Sequence, residues 1–466
     1  MELFLRHTTK VEIKGIEDQL DLLIYQNEER NVSLMYIHFY NKDRAISSST
    51  ILPSFFENLE ATLSNGAKIL LVGCKRVQHT SEISYHREVF KYEVDYVIDG
   101  ASIEENRFFK AYYKVSGIMK WFQKTNFVFG LKGNHYIDIS NDNKLIIYEA
   151  KDHKIEYYVG YSLPNDFLKE TITITQNPSI IIESKEAQKI QWFDTKFNDF
   201  KAIIELAIHK RINYQKVSMQ AIPPKDFTPI NSVLYSVDSS FSTRKNKEEG
   251  GYINYLFTCQ DLVDSGNLND WHKKRSKLEP VLDLYLEVYY SGTSKIENHF
   301  LNICQALETY HARMISDSKN EYKKMAKSKL EGYQSEWEKF LIRDPRKSHI
   351  LLSERLSDLM FIDYPRYIFS GSFKFFDFPQ IVSDTRNYFT HYNINKEKKA
   401  LKGENLVESI SLLRGILEYH LLKEIGFTDG NIFKNLNEYF LQVRTNTEYR
   451  NALRDSDKEK FGIEEQ

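Results

Sequence analysis

Cysteine is almost missing from this chain, with three in 466 residues. Cys74, Cys259 and Cys304 stand far apart and form no CxxC pair or Cys/His cluster, so the sequence offers neither a disulfide framework nor a metal site. Long apolar runs are missing too. No stretch reaches the ~18 apolar residues that a membrane span needs, and Met1 to Lys10 lacks the apolar segment of a signal peptide. The expectation is a soluble, cytoplasmic protein without membrane association. Ten prolines and 19 glycines are too few for long disordered tracts. Nor does one charge dominate, since 63 Lys and Arg against 65 Asp and Glu leave a formal net charge of −2. That balance argues against a global basic field for coating nucleic acid, but it allows a local site that grips a few phosphates.

What is present is 41% hydrophobic and 14% aromatic residues, enough for large cores, in a chain whose length suggests two or three domains. To about residue 185 the pattern has period two, as in Tyr92, Val94, Tyr96 and Ile98 against Glu93 and Asp95, or Ile172 and Ile174 between threonines. Ser33 to Phe39, Lys68 to Cys74, Lys144 to Glu149 and Ser179 to Ile182 are further strands. Turns fall at Lys132-Gly133-Asn134 and Asn141-Asp142-Asn143. A helix is predicted from about Ser184 to His209, packed on the sheet through Ile190, Phe193, Phe197, Phe200, Ile204 and Ala207. Pro223-Pro224 and Pro229 then punctuate the chain, and Phe241 to Gly251, charged and glycine-paired, is the linker candidate.

From about Ser276 the period becomes helical. Ile296, Phe300, Ile303, Leu307 and Met314 make one stripe; Tyr322, Met325, Tyr333, Trp337 and Leu341 a second; Leu406, Ile410, Leu413, Leu417, Leu421 and Ile425 a third. The expected fold class is α+β. An antiparallel β-rich domain, sandwich or barrel-like, covers residues 1–240, a linker 241–254, and an all-α bundle 255–466.

An arginine followed by a histidine after four to six residues occurs three times: Arg343 with His349, Arg386 with His391, and Arg414 with His420. The pairing matters because histidine can take a proton from a ribose 2′-hydroxyl near neutral pH, while arginine offers phosphate a planar pair of donors. Asp344-Pro345 places the first pair in a loop. Arg414 has Glu418 four residues on, the spacing of a surface ion pair. Around Arg386, at about 100° per residue, Phe378, Ile381, Val382, Thr385, Tyr388, Phe389 and Tyr392 form one buried stripe. On the opposite side Arg386, Thr390, Asn387 and His391 occur in that angular order. Pro379 falls in the first turn with Asp377 as a possible cap. Asp384, two turns before His391, is a weak candidate for orienting the imidazole. The bland reading of the same face is an ordinary solvated surface.

The string Thr385-Arg386-Asn387-Tyr388-Phe389-Thr390-His391-Tyr392, together with Gln305-Ala306-Leu307-Glu308-Thr309-Tyr310-His311, resembles HEPN domains of the ApeA type, associated with abortive infection against phage. The likeness covers roughly residues 255 to 466, and the N-terminal half is similar to the β-rich domain that precedes HEPN in that family. It selects the middle pair, because Arg386 is followed directly by the polar Asn387 and lies with its histidine on a helix, whereas the Arg343 pair falls in a loop and Gly415 follows Arg414. The resemblance implies a metal-independent endoribonuclease toxin in antiviral defence, with no cofactor. His391 would be general base and acid, Arg386 would stabilise the phosphorane, and Asn387 would orient the phosphate or the histidine. Glu308 would support the site from a neighbouring helix, with Thr390 and Asp384 as further supporting residues. It also implies an RNA substrate, a homodimer through the HEPN domain, and an N-terminal domain that restrains the nuclease until a phage-derived trigger arrives. Two alternatives remain: a non-catalytic RNA-binding or adaptor module whose polar face is a dimer seam, and an activity housed in the β domain. The latter is disfavoured because His38, His79, His86 and His135 show no nucleophile or ligand spacing.

Overall fold

The computed structural model describes residues 4–10, 20–27, 32–40, 52–63, 66–82, 87–101, 106–115, 117–130, 136–139, 143–163, 173–221, 234–239, 255–265, 268–290, 295–331, 335–361, 373–392 and 394–436. The chain divides into two compact units, Met1–Lys201 with Ile212–Gly251, and Ala202–Arg211 with Tyr252–Gln466.

The described strands of the first unit are β1 (Phe4–Lys10), β2 (Leu20–Asn27), β3 (Val32–Tyr40), β4 (Phe55–Leu63), β5 (Lys68–Glu82), β6 (Arg87–Asp99) and β7 (Phe108–Val115). After a short helix, α1 (Met119–Phe122), come β8 (Phe127–Gly130), β9 (Tyr136–Ile139), β10 (Lys144–Glu149), β11 (His153–Ser162), β12 (Thr175–Gln188), β13 (Tyr214–Gln220) and β14 (Leu234–Ser239). Among the described residues twelve strands form one antiparallel sheet, in the order β10-β11-β12-β7-β13-β14-β6-β3-β2-β1-β4-β5, with β5 pairing also with β6. β8 and β9 pair separately.

The alternation on β6 does what its pattern requires. Tyr92, Val94, Tyr96 and Ile98 are buried, and Glu93 and Asp95 are exposed. With Met35, Ile37, Leu71, Cys74 and Phe90, the first two of these build a core in which each large apolar side chain is worth roughly 1.5–3 kcal/mol. Ile174 lies just ahead of β12 instead of within a strand. Ile172, Lys132-Gly133-Asn134, Asn141-Asp142 and the segment Phe241 to Gly251 lie outside the described residues.

The helix after β12, α2 (Ile190–Ile208), starts later than its periodicity suggests. Ser184 is paired with His153 on β11 and Gln188 with Phe108 on β7, so ladder pairing holds residues 184–188 extended. Its apolar face does pack on the sheet: Phe197 stacks on Tyr113 with ring centroids 4.2 Å apart. Asp194, buried on that face, accepts hydrogen bonds from the Tyr96 and Tyr113 hydroxyls, each at 2.6 Å. Burial raises its pKa, against the pull of those donors.

The second unit contains α3 (Cys259–Ser265), α4 (Leu268–Tyr290), α5 (Ile296–Tyr310), a π-helical turn at His311–Ile315, α6 (Lys319–Lys329), α7 (Ser335–Leu341), α8 (Leu352–Leu359), α9 (Phe378–His391), α10 (Ile394–Glu397) and α11 (Gly403–Ile425). Helix thus begins well before Ser276. Lys273 and Lys277 interrupt the α4 pattern, while Leu268, Trp271 and Leu278 are buried. The stripe from Tyr322 to Leu341 is split between α6 and α7, with Tyr333 outside the described residues, yet its ends meet where the Tyr322 hydroxyl donates to the Leu341 carbonyl at 2.7 Å. α5 is the hub, packing against α4, α8, α9 and α11 through Phe300, Ile303 and Leu307 among others. All six positions of the α11 stripe are buried.

α8 is buried throughout, charges included. Glu354 pairs with Lys319 and accepts from the backbone N–H groups of Arg343, Asp344 and Leu351. Asp358 is held by His311 at 3.2 Å and Lys329 at 2.7 Å, and Arg355 by Asp317 at 2.6 Å. Buried charges are tolerable only with such pairing. Among the described residues no helix is long and apolar enough to cross a membrane.

Candidate functional site

The three Arg and His pairs meet three different environments. Arg343 lies in the loop between α7 and α8, where its Nη2 donates to the Phe376 carbonyl at 2.9 Å and burial lowers its pKa. Arg414 does pair with Glu418, at 3.3 Å, but not at the surface. Glu418 is fully buried and is also bound by His209 at 3.0 Å and by the Tyr285 hydroxyl, because α11 is enclosed nearly all round. His420 donates from Nε2 to the Leu359 carbonyl at 2.9 Å. Burial pushes its pKa down to about 4, so it is neutral at neutral pH and bound to the core.

The third pair is on α9. Pro379 sits in the first turn, where its missing N–H costs nothing. Asp377 occupies the cap position but makes no side-chain cap, correcting that expectation. Phe378, Val382 and Thr385 are buried, and Phe389 meets Phe300 of α5 edge-on at 6.0 Å. Thr385 fixes the helix further, donating to the Ile381 carbonyl and accepting from the Leu401 N–H at 3.1 Å. The predicted stripe is buried only in part: Ile381, Tyr388 and Phe389 are half-buried, and its last member is exposed. Tyr392 is 71% exposed, because the helix stops there in a left-handed residue with φ 48° and ψ 38°, whose N–H returns to the Tyr388 carbonyl.

On the other side of α9, the Arg386 Nη2 lies 3.7 Å from the Glu308 Oε2, with both side chains 35% exposed. The structure therefore brings Arg386 and Glu308 together across α5 and α9. Thr390 is exposed and donates to the Arg386 carbonyl at 2.8 Å, so its hydroxyl is turned to its own helix. Asn387 is half-buried and His391 exposed. Asp384 does not reach His391. It pairs with Lys396 of α10 at 2.8 Å, a partner twelve residues away that no spacing rule had indicated. Among the described residues His391 has no hydrogen bond or ion pair, which leaves its ring open to a ligand. His311 and Tyr310 are packing residues, the former held by Asp358 and the latter donating to Glu424 at 2.7 Å.

His391 lies five positions beyond Arg386, about 7.5 Å along the helix and about 140° around it. The face is thus a fan with a planar cation at one edge and a titratable imidazole at the other. A half-exposed ion pair such as that of Arg386 with Glu308 is worth about 0–1 kcal/mol, so an anionic ligand can displace the carboxylate at small cost. Among the described residues no group of three or more His, Cys, Asp or Glu side chains could hold a metal ion.

Comparison with known families gives two matches. Residues 22–271 match the model of ApeA N-terminal domain 1, and residues 301–431, which include Glu308, Arg386 and His391, match that of the Apea-like HEPN domain. No curated protein and no solved structure matches the chain.

Proposed function

Because the chain belongs to the ApeA family of HEPN-containing defence proteins, we propose that it is a metal-independent endoribonuclease of an abortive-infection system. The observation that carries this reading is the contrast on α9: one face packs into the bundle, while the other carries a half-buried Arg386 and an exposed His391, with Arg386 held among the described residues by a weak pair with Glu308.

In the proposed reaction the phosphate displaces Glu308 from Arg386, whose planar donors span two phosphate oxygens and stabilise the charge that develops there. His391 takes the proton from the ribose 2′-hydroxyl as that oxygen attacks phosphorus, then returns a proton to the leaving 5′-oxygen. Asn387 orients the phosphate between them. Glu308 keeps the empty guanidinium pointed outward. Thr390 and Asp384 act at one remove, by capping the Arg386 carbonyl and by tying α9 to α10. The 140° fan is wide for one phosphate, which favours a homodimer that sets the arginine of one copy opposite the histidine of the other. The N-terminal domain would restrain the nuclease until a phage-derived trigger binds it.

End-group analysis tests the chemistry. Cleavage in EDTA should leave a 2′,3′-cyclic phosphate and a 5′-hydroxyl, and RNA with a 2′-deoxy substitution at the cut position should resist. Strict magnesium dependence with 5′-phosphate ends would replace this mechanism by attack of a metal-activated water.

A further inference from the structure

Tyr392 is an expensive residue for its position. A helix that ends in the left-handed region ordinarily uses glycine there, since a side chain at φ 48° clashes with its own backbone at a cost of about 1–2 kcal/mol. A large apolar ring that is 71% exposed adds nothing to the core in return. The ring nonetheless has one aromatic neighbour: it meets Tyr388 edge-on, with centroids 5.9 Å apart and planes at 66°, and the Tyr392 N–H is bonded to the Tyr388 carbonyl. Tyr388 in turn lies under the Lys402 ammonium, 5.8 Å from its ring centre. An exposed aromatic ring, braced by a second ring that itself carries a lysine shared with Glu397 at 3.1 Å, directly follows the imidazole of His391.

We propose that Tyr392 is a stacking platform for an unpaired base flanking the scissile phosphate, so that the site selects single-stranded RNA. This deepens the ribonuclease reading and rests on it for the identity of the ligand. Every base has a π-face, so such a platform holds RNA without demanding a sequence. A base within a duplex is already stacked on both faces and cannot use it. Tyr392 acts here as a substrate-positioning residue, with backbone strain retained where it serves binding.

Binding and cleavage are measured separately. The full chain carrying His391→Ala, so that RNA is not consumed, is mixed with a single-stranded oligonucleotide containing 2-aminopurine, whose fluorescence falls when the base stacks. Saturable quenching is expected. Adding Tyr392→Gly should abolish the quench and weaken binding by about tenfold, with an unchanged or raised thermal midpoint because glycine accepts the backbone conformation. Tyr392→Trp should keep both quench and affinity. Absent quenching in the parent, unchanged binding in Tyr392→Gly, loss in Tyr392→Trp as large as in Tyr392→Gly, or equal affinity for a fully paired duplex each overturns the platform. Intact quenching in a protein whose His391-bearing form cuts no RNA supports the platform and overturns the ribonuclease reading instead.

Discussion

Helices α9 and α11 each carry an arginine followed by a histidine, at nearly the same spacing, and use them in opposite ways. On α11 both side chains face inward. Arg414 reaches buried Glu418, and His420 is neutral and bound to a backbone carbonyl. On α9 the same residue types face outward, with Arg386 in one weak contact and His391 in none among the described residues. Spacing along a helix therefore says little about chemistry. What separates the pairs is how many faces of the helix the bundle covers.

The largest effect that would test this contrast is on cleavage. His391→Ala should lower the rate of RNA cleavage by about 10²–10⁴ and relieve growth arrest on induction, while circular dichroism shows an unchanged fold, because the removed ring is exposed. Full activity in a folded His391→Ala protein breaks the comparison at once. Arg386→Lys keeps the charge but not the two parallel donors, and turnover should fall by about tenfold or more. Activity restored by charge alone would reduce Arg386 to general electrostatic attraction.

The core pair should respond in stability and not in rate. Arg414→Ala withdraws a donor from a buried carboxylate and should lower the unfolding free energy by about 1–3 kcal/mol in urea titration, leaving cleavage within about twofold under conditions where the protein is folded. Arg343→Ala should likewise retain most of the cleavage. If either is as damaging to turnover as Arg386→Ala, the assignment of the site belongs to another helix.

A smaller effect concerns pH. Burial lowers the pKa of His209 as well as that of His420, the latter from 6.5 to about 4. About one unit or more above pH 6.5 both histidines are almost wholly neutral in the folded and the unfolded chain, so they add little pH dependence there. Between about 6.5 and 4 the unfolded chain takes up protons that the folded His420 refuses. Stability must therefore fall on acidification, by up to about tenfold in the unfolding equilibrium per pH unit for each such histidine. Thermal midpoints measured from pH 7.5 to 4.5 should show this decline, and His420→Gln, which keeps a donor for the Leu359 carbonyl, should flatten part of it.

Much of this organisation was legible in the chain. The alternation at Tyr92 to Ile98 and the six-residue stripe on α11 report burial directly, because every apolar position in a regular element must find a covered face. Local pattern failed where long-range pairing overrode it. Residues 184–188 belong to a strand since β7 and β11 hold them there, and lysines on α4 hid its first turns. Tyr392 was misassigned to the buried stripe because an angular projection assumes the helix continues, and only the backbone reveals that it stops.

The sequence by itself determined the α+β class, the family resemblance and the composition of the polar fan on α9, since these follow from periodicity and from residue identity. Tertiary structure decided which arginine stays available, that Glu308 faces Arg386, and that Asp384 is engaged by Lys396 instead of His391. The reason is geometric. Exposure and ion pairing depend on which helices lie alongside, and those neighbours come from distant positions, 209 residues apart for His209 and Glu418, where no local spacing can register them.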